Sequence, residues 1–273
     1  MITRADLKVF SDIVDSPSLP CPTQIHHLVL AKRTECIELS RSVFASRIPD
    51  TIVRAIPKRQ YEFLLGRLAA EVLLVEIGVP CEASWVQTSG RQPVWPSGIT
   101  GSISHSKDMV AVSICHKKYR VQSIGIDIES LDQHASAIKA ITACFTNQER
   151  ERLDQIENGL IIGFSVKEAL YKCLYPISGL FFDFLDAEIL YVDTINQHIG
   201  CVLHRSLGAG LNSGSCFRGD FREFNNHVWT GVFLNDRDGS EFSDSAISGS
   251  LAQPAPCRAR QTEEQAHEKD KKV

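Results

Sequence analysis

The 273-residue chain is 43% hydrophobic and 23% charged, ordinary usage for a globular protein with room for one large domain or two modest ones. A net charge of −4 and an isoelectric point near 6.1 give no electrostatic ground for nucleic acid or an anionic membrane as the main partner, so any anion site must be built locally. No stretch approaches the roughly 20 apolar residues of a membrane span, and nine cysteines without a Cys-x-x-Cys pair favour a reduced, cytoplasmic setting over a disulfide framework or a zinc site.

Residues 1–20 read as an N-terminal arm: acids interrupt the apolar residues, and the basic start of a secretory signal is missing. "PKRQYEFLLGRLAAEVLLVEIG" (57–78) carries apolar side chains at 61, 64, 65, 68, 69, 72, 73 and 75, the spacing of a helix, with a proline at its start and a glycine at its end. The Pro/Gly loop "RQPVWPSG" leads into two β-like runs, 101–115 and 119–130, with "HKK" (116–118) as their hairpin turn. Thr146 followed three residues later by Glu149 is a capping-box pattern and starts a helix over 146–154. A second long helix is expected over 160–176, stopped by Pro176. Four short β-like runs follow: "AEILYVD", "CVLHRSL", "FREFNN" and "HVWTGVFL". Beyond Asn235 the chain turns to Ser, Gly, Pro and charge without period, a composition that cannot offset its own ordering entropy. The expected architecture is α+β: two similar subdomains, 21–118 and 119–234, each a long helix followed by strands, with a disordered tail over 235–273.

Two acids stand out in "SIGIDIES" (123–130). Alternation puts Ile124, Ile126 and Ile128 on one strand face and Gly125, Asp127 and Glu129 on the other. Residues i and i+2 on a strand are about 6.6 Å apart, so two carboxylates there can converge on one hard cation; a solvated strand face is the plainer reading. Gly125 additionally permits close approach of backbone or ligand. In "FSVKEALYKCL", Glu168 and Lys172 share a helix face, with Ser165 preceding them. Alone they read as an exposed pair worth roughly 0.3–0.5 kcal/mol, with Lys167 as a surface cation. Beside Asp127 and Glu129, these three acids and two lysines suit Mg2+ shared with phosphate oxygens. Ser102 and Ser104 share one strand face with His105 at the strand's end, a group able to donate to phosphate. Arg59, Arg67 and Arg91 offer guanidinium forks for a phosphomonoester, with helix-end or surface cations as the alternative.

Four motifs in order, "KRQYEFLLGRLAA", "GRQPVWPSGITGSISHS", "IGIDIES" and "FSVKEALYKCLYP", make the chain resemble 4′-phosphopantetheinyl transferases of the enterobactin synthetase component D type over roughly residues 50–190. The resemblance implies a pseudo-dimeric α+β fold with the active site in the cleft between its halves, where coenzyme A is the donor. It implies Mg2+ on Asp127, Glu129 and Glu168, and the coenzyme A phosphates on Arg59, Arg67, Arg91, Ser104, His105 and Lys172. Glu168, Lys172 and His105 take the catalytic roles. Many members have Trp where this chain has Phe164, a residue that also occurs in the component D branch. The implied partner is an apo acyl or peptidyl carrier protein, including a domain of a nonribosomal peptide synthetase of siderophore assembly; Phe181, Phe182 and Phe184 are the candidate contact, with core packing as the equal alternative. A monomer would suffice. Two rival readings stand: a metal-dependent phosphohydrolase that uses the same carboxylates on coenzyme A or a related nucleotide, and a non-catalytic docking subunit of a carrier-protein megasynthase, which would keep the surface but need no intact metal triad.

Overall fold

The computed structural model describes residues 13–14, 23–31, 48–80, 86–89 and 92–235. Arg91, the arm apart from 13–14, and the tail beyond 235 lie outside these residues. A four-stranded antiparallel sheet in the order β1-β2-β6-β5 joins β1 (Ile13–Val14), β2 (His26–Ala31), β5 (Ile99–His105) and β6 (Met109–His116). A short hairpin, β3 (Gln87–Ser89) and β4 (Gln92–Val94), precedes β5. The second sheet runs β7-β11-β10-β9-β8, again antiparallel, from β7 (Val121–Ser130), β8 (Ala187–Asp193), β9 (His198–Leu203), β10 (Cys216–Phe224) and β11 (His227–Asn235).

Each sheet carries one 20-residue helix. After the single turn α1 (Asp50–Val53), α2 (Pro57–Glu76) packs on the first sheet, and every residue from Glu62 to Leu74 is buried. In the other half, the short helices α3 (Ala135–Thr142) and α4 (Asn147–Leu153) precede α5 (Gly159–Ser178), which lies on the second sheet. The molecule is therefore an α+β pseudo-dimer. Alternation along β6 divides its side chains between two cores. Val110, Val112 and Ile114 meet α2, whereas Met109, Ala111 and Cys115 meet Ile124, Ile126 and Ile128 of β7 together with Trp229. The isoleucine face of "SIGIDIES" thus forms the apolar contact between the halves.

Two sequence expectations change. β6 and β7 are not a hairpin: they belong to different sheets, and "HKK" opens a 3-10 turn (Lys117–Tyr119) closed by Arg120 at φ 63°. The alternation of both runs is compatible with either arrangement, because period two does not say which strand lies alongside. Helix α5 also runs through Pro176 to Ser178 and stops at Gly179, at φ 64°. Proline's fixed φ is itself helical, so in the last turn it removes one hydrogen bond without forcing an end. The capping box holds: Glu149 N–H donates to Thr146 Oγ1 at 3.2 Å and Thr146 N–H to Glu149 Oε2 at 2.8 Å.

Gly125 sits where α5 crosses β7. A Cβ there would lie 1.9 Å from the Ala169 carbonyl oxygen and 2.4 Å from Cys173 N, so the close approach that glycine permits is to the helix backbone. We expect Gly125→Ala to lower stability by about 3 kcal/mol or more, because neither contact is a side chain that can move aside. Urea unfolding followed by circular dichroism measures it.

Candidate active site

The polar face of β7 is turned toward α5. Ser123 Oγ donates to the Cys173 carbonyl at 2.6 Å, Gly125 lets the helix descend, and Asp127 then lies against the next turn, 3% exposed. Its Oδ1 accepts from Lys172 Nζ at 2.6 Å and from Ser104 Oγ at 2.7 Å, and its Oδ2 from Ser165 Oγ at 2.9 Å. Lys172 Nζ also donates to Ser104 Oγ at 2.9 Å, closing a triangle among β5, β7 and α5. Ser165 shares a 2.9 Å hydrogen bond with Thr230, which stands directly opposite Asp127 on β11.

Glu129 and Glu168 complete the acidic group. Burial, and then the negative charge of Asp127 and Glu168, push Glu129 up to about 8 despite the opposing effect of Lys172. Burial likewise raises Glu168; Lys172 opposes this and Asp127 adds to it. Among the described residues no three His, Cys, Asp or Glu side chains are already drawn into a ligand arrangement, and Lys172 takes one oxygen of Asp127. The donor set nevertheless fits a hard divalent cation. Three carboxylates, all oxygen donors, share one lysine, and a divalent cation would favour the ionised form that burial and their mutual repulsion disfavour in Glu129 and Glu168.

This cluster lies where two clefts approach each other. A cleft of about 1350 Å3 is lined from the first half by Trp95 and Ser102 and from the second by Glu168, Tyr171, Lys172 and Phe181. Another, of about 550 Å3, is lined by Lys58, Arg59, His105, Lys107, Glu129 and His134. Arg59 Nη1 lies 3.3 Å from His105 Nε2 and 3.6 Å from Glu62. Of the two candidate arginines among the described residues, Arg59 lines this cleft and Arg67 does not. Arg67 is buried at 6% exposure with its guanidinium 4.7 Å over the Phe63 ring. Its pKa falls to about 10 through burial and the neighbouring Arg59.

Lys167 is not a surface cation. Its Nζ is 2.7 Å from Glu149 Oε1, donates to the Cys144 and Phe184 carbonyls at 3.1 and 2.9 Å, and sits over the Phe145 ring. Only Lys172 of the two lysines pairs with the acids. The aromatic run also separates: Phe181 is 68% exposed, Phe182 is 4% exposed in the core, and Phe184 packs against Phe164. Thr230 went unnoticed in the sequence, since a threonine in a β-like run is unremarkable and its role depends on the register with β7.

Comparison with known proteins identifies the family. Residues 49–115 match the model of the 4′-phosphopantetheinyl transferase N-terminal domain, and residues 123–216 that of the 4′-phosphopantetheinyl transferase superfamily. The chain is 32% identical over 144 residues to 4′-phosphopantetheinyl transferase Npt of Nocardia iowensis, covering 51% of this chain and 63% of that protein. It is 35% identical over 127 residues to enterobactin synthase component D of Salmonella typhimurium, covering 45% and 51%. With enterobactin synthase component D of Escherichia coli it shares 36% over 119 residues, covering 42% and 54%. The chain thus spans about half to three-fifths of the length of these relatives. With two family models matched in order across both halves, the chain belongs to the 4′-phosphopantetheinyl transferase superfamily, in the group that includes enterobactin synthase component D.

Proposed function

We propose that the protein transfers the 4′-phosphopantetheine group from coenzyme A to a serine hydroxyl of an apo acyl or peptidyl carrier protein, releasing adenosine 3′,5′-bisphosphate. The observation that carries this reading is the convergence of Asp127, Glu129, Glu168 and Lys172, from a strand and a helix, where the two clefts approach each other. Relatives named for phosphopantetheinyl transfer and for enterobactin synthesis support the same class, with a carrier domain of a siderophore peptide synthetase as one partner. A cytoplasmic monomer acting on such a carrier is part of the proposal.

In the reaction, the serine oxygen forms a bond to the phosphorus that bears pantetheine. The bridging phosphorus–oxygen bond to the adenylate breaks, and its electron pair leaves on the 5′-phosphate. Asp127, Glu129 and Glu168 would hold Mg2+, whose charge would offset that of the pyrophosphate oxygens. Lys172, 28% exposed at the larger cleft, has three protons to distribute and turns one from Asp127 to a phosphate oxygen. Glu168 takes the serine proton, a role helped by the burial that makes its carboxylate more basic. His105 and Arg59 meet the nucleotide phosphates along the smaller cleft. Phe181, exposed on the wall of the larger cleft beside Tyr171, receives the carrier's apolar surface.

Intact-mass analysis of apo carriers incubated with the protein, coenzyme A and Mg2+ tests the reading. A metal-dependent gain of one phosphopantetheine group is expected, whereas carrier-free breakdown of coenzyme A would identify a phosphohydrolase instead. Asp127→Ala should lower kcat by about 10³-fold, the scale of losing one preorganised electrostatic group, while far-ultraviolet circular dichroism stays unchanged. Phe181→Ala should raise KM for the carrier and leave KM for coenzyme A alone. In metal-free buffer, the neutral Glu129 carboxyl contributes its full stability below its ordinary value of 4.5 and loses it as pH rises to about 8. Glu129→Gln cannot ionise, so its Tm in EDTA should exceed the parent's at pH 8 and match it near pH 4.5.

A further inference from the structure

β5 and β7 are edge strands of different sheets that run side by side without a backbone ladder. Serine hydroxyls join them. Ser102 Oγ accepts from Ile126 N–H at 3.1 Å, and two residues along, Ser104 Oγ donates to Asp127. Past Ser104 the β5–β6 hairpin turns over Ser106, Lys107 and Asp108, closed by Ser106 N–H donating to the Met109 carbonyl at 2.9 Å. There one more bond crosses between the halves. His227, 3% exposed at the start of β11, has Nε2 2.7 Å from Asp108 Oδ1 and Nδ1 2.8 Å from the Asn225 carbonyl oxygen. With both ring nitrogens bonded, the imidazole is fixed in the plane that reaches Asp108.

The position of this bond gives it a function. His227 pairs with Ser130 in the β7–β11 register. The smaller cleft has His105, Ser106 and Lys107 on its hairpin wall and Glu129 and Ser130 on its β7 wall. Asp108 does not line that cleft, but it follows the hairpin wall directly and ties it to β11, whose first residue pairs with Ser130 of the other wall. We propose that the Asp108–His227 bond is a latch that sets the spacing of these two walls, and so the grip of the smaller cleft on the nucleotide part of coenzyme A. Asp108 and His227 are positioning residues, acting through His105, Lys107 and Glu129. The identity of the ligand rests on the transfer reading above; the latch itself does not.

Asp108→Ala separates the two. The side chain is 60% exposed, so its removal leaves no cavity, whereas His227 is buried and a poorer probe. Hydrogen–deuterium exchange followed by mass spectrometry should show faster exchange across Ile99–His116 in Asp108→Ala. Steady-state transfer should show KM for coenzyme A raised about five-fold with kcat held within about two-fold, the size of one partly exposed hydrogen bond to a charged group. Asp108→Asn keeps an acceptor oxygen and should restore most of the lost affinity. Unchanged exchange over the hairpin would overturn the latch. Faster exchange with an unchanged KM would overturn its role in gripping coenzyme A. A parent protein that transfers nothing would instead sink the transfer reading and the KM claim with it, and exchange would still decide the latch.

Discussion

The burial of the Asp127 carboxylate where the two halves meet is the constraint around which the site is arranged. A carboxylate at 3% exposure is costly unless both oxygens are bonded. Its bonds come from Ser104 of the first half and from Ser165 and Lys172 of the second. Those bonds need α5 to lie close on β7, which needs Gly125, and they need β5 alongside β7, which the isoleucine core on the opposite face secures. The apolar face of one strand thus holds the two halves together, and its polar face carries the buried acid between them.

Much of this was legible in the sequence, for identifiable reasons. The period-two pattern of residues 123–130 assigned faces correctly because β7 is buried on both sides and carries apolar residues on only one. The capping box at Thr146 and the long helices were readable because caps and helical periodicity are local signals. What depends on tertiary placement was not. The partner of β7 is β11, about a hundred residues later, and nothing in "HKK" distinguishes a hairpin turn from a crossing between sheets. "FREFNN" looked like a strand to its end, yet Asn225 and Asn226 adopt φ 44° and 58° and form the tight turn to β11. Lys167 and Lys172 lie on the same helix, and only the fold sends one to Glu149 and the other to Asp127.

The Lys167–Glu149 pair shows how the scaffold supports the site from behind. Glu149 accepts from Thr146 N–H, from Ile189 N–H at 2.8 Å and from Lys167, so the start of α4, the start of β8 and the middle of α5 meet at one carboxylate. Lys167 then reaches the Phe184 carbonyl, on the segment that walls the larger cleft. Breaking such a pair by removing one partner costs about 3–5 kcal/mol, because the remaining charge is left buried. Glu168 follows Lys167 directly in the chain, so the anchored turn of the helix is also the turn that presents an acid to the cleft.

The register of β11 against β7 has a consequence for how the molecule comes into being. Thr230, which completes the hydrogen-bond chain to Asp127 through Ser165, stands in the last strand of the described fold. During synthesis the acids of β7 and the helix of Glu168 and Lys172 leave the ribosome well before it. Until β11 arrives, β7 lacks its ladder partner among the described strands, and its two acids have no sheet to hold their spacing. The first half can form its own sheet and helix early; the hydrogen-bond chain around Asp127 is completed only when β11 pairs with β7.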